Sequence, residues 1–143
     1  MLYRNKQTKG LAQDLFLMPA SYQRFAQICL PIALIAITTF ALIPPDDVPL
    51  ATLGDKVLHI TAFFTLAGIV DAAWPHSRWN WKKMALLTSY GLAIEIAQSF
   101  HPLRTFALDD LAADVIGQLL YLALTPLFQR IPVLRLRWQH KPQ

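Results

Sequence analysis

The sequence predicts an all-α protein, a four-transmembrane-helix bundle with both termini cytoplasmic. Three observations carry that reading. The 143 residues are 55% hydrophobic and only 15% charged, whereas ordinary soluble chains carry about 25% charged residues. The stretch 25–45 is a run of 21 residues without a charge, and about 20 apolar helical residues suffice to cross a hydrocarbon core. Finally, the basic residues alternate in density from one inter-segment loop to the next. Disorder needs the opposite composition, and a disulfide-stapled module needs more than one cysteine.

The elements follow in order. Residues 1–24 form a polar lead holding Arg4, Lys6, Lys9 and Arg24 against Asp14. Leu11, Leu15, Leu17 and Met18 let part of it lie on the inner membrane surface. The first span is 25–45. It is longer than the apolar core of a cleaved signal, and no small-x-small site follows it. Cys29 sits inside the run, as a small apolar residue, and not after it as a lipoprotein would require. Spans two to four are 57–74, 84–100 and 111–128, each apolar on average but each carrying ionisable or amide groups. A basic tail, 130–143, closes the chain.

With the N-terminus inside, 11 of the 13 Lys/Arg residues fall on the cytoplasmic side, leaving Lys56 and Arg104 outside. That is the bias of the positive-inside rule, and Trp74, Trp79 and Trp81 mark the inner boundary as an aromatic belt. The net charge of +4 therefore reports topology. The basic clusters share one membrane face without interleaved stacking aromatics, so nucleic acid is not an expected partner. No internal repeat is visible, which argues against an inverted-repeat transporter.

The chemistry concentrates at the outer ends of spans two to four. At a rise of 1.5 Å per residue from the inner markers, Glu95 stands about 18 Å up, Gln98 and His59 about 22 Å, and Asp114 about 24 Å. Asp55 and Asp110 reach the outer boundary at about 28–30 Å. Helical spacing also puts the members of each span on one face. Asp55 and His59 are i, i+4, Glu95 and Gln98 are i, i+3, and Asp110, Asp114 and Gly117 are i, i+4, i+7. A carboxylate near mid-bilayer costs several kcal/mol against lipid, so Glu95 faces inward. The expectation is a polar pocket between three helices, closed toward the cytoplasm and open outward. Gly91 and Gly117 are small enough to let those helices approach closely.

The same residues carry a resemblance. Asp55-Lys56-x-x-His59, then Gly91-x-x-x-Glu95-x-x-Gln98, then Arg104-(x)5-Asp110-x-x-x-Asp114-x-x-Gly117 resemble the signature of the VanZ-like family. These are small bacterial multi-pass membrane proteins whose namesake is linked to teicoplanin resistance. The motifs run from Asp55 to Gly117; the first span matches only as an apolar segment. The chain departs from the family at Pro102-Leu103-Arg104, where a Pro-Gly-Arg turn is common, and at Asp114, where asparagine is frequent. The resemblance implies a plasma-membrane protein with an extracytoplasmic functional face. It also implies a role in the envelope that extends to glycopeptide tolerance, without supplying a reaction.

Each polar residue has two readings at this level. His59 and Glu95 read as a catalytic acid-base pair; equally, His59 reads as a structural histidine on Asp55 or Glu95, and Glu95 with Gln98 as helix-helix glue. Asp55, Lys56, Gln98, Arg104, Asp110 and Asp114 read as ligand-binding groups, with Arg104 as an anion clamp or as a salt bridge to Asp110 or Glu95. Asp109 reads as an exposed helix start, Phe63 and Phe64 as packing and lipid contact, and Asp71 as a boundary residue that snorkels.

Five acids (Asp55, Glu95, Asp109, Asp110, Asp114) against Lys56 and Arg104 leave the outer region negative. It would repel a phosphate or carboxylate unless neutralised. A proton kept on Glu95 is one remedy. A divalent metal on Asp55, His59, Glu95, Asp110 and Asp114 is the less favoured one, since no established metal motif is present. Three function classes follow: a pocket for a cell-wall precursor, lipid headgroup or glycopeptide; an outer-leaflet enzyme using Glu95 and His59 with Arg104; or a structural or assembly subunit. Membrane lipid is a partner in all three.

Overall fold

The computed structural model describes residues 4–43, 54–75, 77–100, 107–132 and 134, with 4–20 described as backbone alone. Four helices follow one another: α1 Arg4–Leu42, α2 Asp55–Ala73, α3 Trp81–Gln98 and α4 Leu108–Phe128. There is no strand among the described residues. Three helical segments are long and apolar enough to cross a membrane, namely Ser21–Leu42 within α1, Asp55–Ala73 and Leu108–Phe128. α3 has 18 residues but carries Lys82, Lys83 and Glu95.

Local chemistry explains where the helices start. Gly54 takes φ 83, a left-handed conformation that glycine adopts without a Cβ penalty, and turns the chain into α2. Asp55 in the first turn of α2, and Asp109 and Asp110 in that of α4, face the positive end of the helix dipole. That is why both helices begin two or three residues ahead of the predicted spans. α1 extends beyond its predicted span in the same direction, running unbroken through the polar lead. Asn80 caps α3, its side-chain oxygen accepting from the backbone N–H of Lys82 at 3.0 Å and Lys83 at 3.2 Å. Asn80→Ala is expected to cost about 1 kcal/mol, the usual worth of such a cap, read as a lowered unfolding midpoint in detergent.

Interhelical bonds give the helix directions. Gln27 near the start of the apolar part of α1 donates to Ala73 O at the end of α2 (3.2 Å). Gln98 at the end of α3 donates to Ala41 O at the end of α1 (2.9 Å). α2 therefore runs opposite to α1, and α3 runs parallel to α1. The Tyr90 hydroxyl donates to Leu34 O (3.0 Å) and meets Thr38 Oγ1 at 2.8 Å, a second tie between α3 and α1.

The most extensive packing is between α2 and α4, and the core of Phe63, Leu66, Ala67 and Val70 from α2 and Tyr121 from α4 is completed by Leu87 of α3. Phe64, Tyr121 and Phe128 stack edge-on or tilted, with centroids 6.0–6.1 Å apart. Phe63 is fully buried, so its role is packing, as expected. The distribution of polarity is inverted relative to a water-soluble bundle. Asp71, Lys83, Glu95, Gln98, Asp114 and Gln118 are buried, while Phe25, Ile28, Ile32 and Ile35 form an exposed apolar stripe on α1. Lipid is the solvent that such a stripe requires.

One expectation is corrected here. Asp71 does not snorkel: it is 1% exposed and ion-paired with Lys83, whose Nζ stands 3.1 Å from Asp71 Oδ1. The Tyr121 hydroxyl donates to the other carboxylate oxygen at 2.9 Å. The short α2–α3 connection folds Lys83 back over the end of α2, where its ammonium also donates to Trp74 O and Ser77 O.

Candidate functional site

At the end of the bundle opposite that ion pair, three helices bring their polar side chains together. α2 supplies Asp55 and His59, α3 supplies Glu95, and α4 supplies Asp110 and Asp114. Their meeting depends on two glycines. A Cβ at Gly117 would fall onto Ile60 O and 2.9 Å from Phe64 N, so α4 can lie this close to α2 only with glycine there. A Cβ at Gly91 would collide with Asp114 Oδ2 and stand 3.0 Å from Phe63 Cζ. Gly91 thus leaves the Asp114 carboxylate its space.

His59 is the centre of the group. Its Nδ1 lies 2.8 Å from Asp114 Oδ1, and its Nε2 lies 3.8 Å from Glu95 Oε1 and 4.0 Å from Asp55 Oδ1. An ionised Asp114 can only accept, which places the ring proton on Nδ1 and leaves a neutral ring's lone pair on Nε2. The groups that Nε2 faces, Glu95 and Asp55, are carboxylates. Asp110 completes the ring of groups: Asp55, His59 and Asp110 each present one atom within 4.8 Å of the others.

Burial sharpens the electrostatics. Glu95 is 1% exposed and Asp114 0%, and both keep one carboxylate oxygen without a hydrogen-bond partner among the described residues, Glu95 Oε1 and Asp114 Oδ2. The second Glu95 oxygen accepts from the Ala107 N–H at 3.2 Å, which ties α3 to the entry of α4. Buried carboxylates are costly unless compensated, and two buried ones, Glu95 and Asp114, flank the imidazole together with the more exposed Asp55 and Asp110. Lys56 pairs with Asp109 at the exposed rim and forms no ion pair with Glu95 or Asp114 among the described residues. An open depression of about 410 Å³ lies between the starts of α2 and α4, lined in part by Asp55, Lys56, Asp109 and Asp110.

The expected site residues therefore divide. Asp55, His59, Glu95, Asp110 and Asp114 are together, and Lys56 stands at the mouth. Gln98 turns instead to the Ala41 carbonyl of α1 and serves helix packing. Arg104 lies outside the described residues. Asp109 is an exposed helix start, as expected, with the added pairing to Lys56.

Sequence reading missed Gln118, which is fully buried and donates to Thr88 Oγ1 at 3.1 Å while its own Oε1 has no partner among the described residues. The signal was present. Gln118 follows Asp114 by four residues, so the polar stripe of α4 continues one turn deeper.

A sequence model of the VanZ/LLP1 family matches residues 8–129, a stretch that contains every residue of this site. No curated protein and no solved structure matches the chain. With apolar helices of spanning length, this polar convergence and a match over most of its length, the chain belongs to the VanZ-like family, VanZ/LLP1.

Proposed function

We propose that the chain crosses the bacterial plasma membrane four times with both termini cytoplasmic. Its His59–Glu95–Asp110–Asp114 pocket opens extracytoplasmically and binds the polar part of an envelope ligand, a cell-wall precursor, lipid headgroup or glycopeptide. Binding there alters glycopeptide tolerance. The supporting observation is the convergence of acidic and imidazole groups from three helices; two of these groups, Asp55 and Asp110, also line the depression at the Lys56–Asp109 rim. An acceptor-rich lining suits ligands that present donors, such as ammonium, hydroxyl or amide groups. α3 fits as the fourth span because two of its three charged side chains, Lys83 and Glu95, are buried against neighbouring helices.

The test has two arms, in a Cys29→Ser background. Lys56→Cys is expected to react with a membrane-impermeant maleimide applied to intact cells, and Arg78→Cys only after permeabilisation. Expression of the otherwise unmodified protein is expected to raise glycopeptide tolerance, and Asp110→Asn to lose the gain at equal protein levels. Labelling of Lys56→Cys only after permeabilisation would overturn the orientation. Undiminished tolerance in Asp110→Asn would remove the pocket from function.

A second reading, an outer-leaflet enzyme, is favoured by one observation: Asp114 orients His59 so that Nε2 faces Glu95, a geometry suited to general acid-base work. Loss of turnover with retained ligand binding in Glu95→Gln would select it.

A further inference from the structure

We infer that this pocket is a divalent transition-metal site, with His59 and the carboxylates of Asp55 and Asp110 as ligands, the buried Glu95 facing the same ring nitrogen, and Asp114 as the partner that orients the ring. The inference deepens the reading of the same pocket. It rests on the convergence of these side chains and not on the orientation of the pocket or the identity of its organic ligand.

Distances carry the first part of the argument. Nε2 stands 3.8 Å from Glu95 Oε1 and 4.0 Å from Asp55 Oδ1, too far for hydrogen bonds. Two donor atoms sharing an ion at about 2.0–2.2 Å lie roughly 3.3 Å apart at a tetrahedral centre and about 4.2 Å apart when opposite one another. Both separations fall in that interval. Asp55, His59 and Asp110 each offer one ligand atom within 4.8 Å of the others.

The second observation is independent of the cluster's acidity. Glu95 is 1% exposed, and its Oε1 is aimed at Nε2 with no hydrogen-bond partner among the described residues. A buried, unpaired carboxylate oxygen facing an imidazole nitrogen is an arrangement that a cation between them stabilises. Asp114 contributes what metal-bound histidines commonly have, a carboxylate on the far ring nitrogen that fixes tautomer and orientation. One nitrogen among carboxylate oxygens favours Zn²⁺ or Mn²⁺ over Mg²⁺ or Ca²⁺.

Full-length protein without a histidine tag, purified in detergent and stripped with chelator, is equilibrated separately with Zn²⁺, Mn²⁺, Mg²⁺ and Ca²⁺. One Zn²⁺ or Mn²⁺ per chain is expected, with nitrogen hyperfine coupling in the pulsed EPR spectrum of the Mn²⁺ form. His59→Ala is expected to lose binding, and Asp114→Asn to weaken it about 10- to 100-fold, as outer partners of metal ligands do. Asp55→Asn, at a half-exposed first-turn position where asparagine keeps the shape and α2 loses only the modest dipole contribution of a first-turn charge, is expected to weaken it at least tenfold. Asp109→Asn is expected to bind as wild type. The inference is overturned by monodisperse protein that takes up no ion, or by uptake equal in wild type and Asp55→Asn. Mg²⁺ or Ca²⁺ binding that is indifferent to His59 overturns it as well. An ion bound by protein whose Lys56→Cys labels only after permeabilisation leaves the metal site standing and removes the envelope reading. The reverse pattern removes only the metal.

Discussion

Lys83→Met is expected to destabilise the protein by about 3–5 kcal/mol, the cost of leaving one member of a buried ion pair without the other. Asp71 is 1% and Lys83 8% exposed, so neither charge is relieved by water in the folded state. The ammonium donates to Asp71 Oδ1 at 3.1 Å, to Ser77 O at 2.7 Å and to Trp74 O at 3.3 Å. Methionine fills much of the same volume but supplies no donor, so the Asp71 carboxylate keeps the Tyr121 hydroxyl and loses its cation. Adding Asp71→Asn to Lys83→Met is expected to restore more than half of the loss, because a neutral amide still accepts from Tyr121. Unfolding of the three variants in mixed detergent, followed by circular dichroism, reads the difference. A cost below about 1 kcal/mol for Lys83→Met would mean the pair behaves like one on an exposed surface.

The contrast between this pair and the outer pocket shows what was legible in the sequence. Four helices in order could be read because an apolar run near the length of a bilayer has few other destinations. The meeting of His59, Glu95, Asp110 and Asp114 could be read because depth follows from residue number and azimuth follows from i, i+4 spacing. Those two coordinates place a side chain on its own helix but do not name the helix that faces it. Gln98 shows the limit: three residues beyond Glu95 its azimuth is close, yet it reaches Ala41 on α1 and not His59. Asp71 reads as a boundary residue because hydropathy along one dimension cannot distinguish a charge that reaches for the surface from one turned inward. Gln118 was passed over because one amide inside an apolar helix barely changes its average. The close crossing of α2 and α4 was suggested by Gly117, while its backbone partners, Ile60 and Phe64, carry no local sign of it.

That crossing makes Gly117→Ala the second large effect, at about 3 kcal/mol, the upper end of the usual cost of overpacking. The added Cβ would clash with Ile60 O and stand 3.2 Å from Ile60 C and 2.9 Å from Phe64 N, all of them backbone atoms of a helix. Side chains relieve such a clash by changing rotamer. Helical backbone relieves it only by moving the whole helix, so α4 must withdraw from α2. Asp114 sits one turn away on the same face and bonds His59 at 2.8 Å. Withdrawal therefore also opens the pocket, and ion binding should weaken together with stability although no polar group has changed. Gly68→Ala is the matched control, for its Cβ would meet the Tyr121 ring at 3.5 Å, an ordinary contact. Alanine is the better helix former by about 1 kcal/mol, so Gly68→Ala is expected to be neutral or stabilising. Equal unfolding midpoints for the two variants would show that α2 and α4 do not meet backbone to backbone at Gly117, and the convergence of His59 with Asp114 would lose its structural cause.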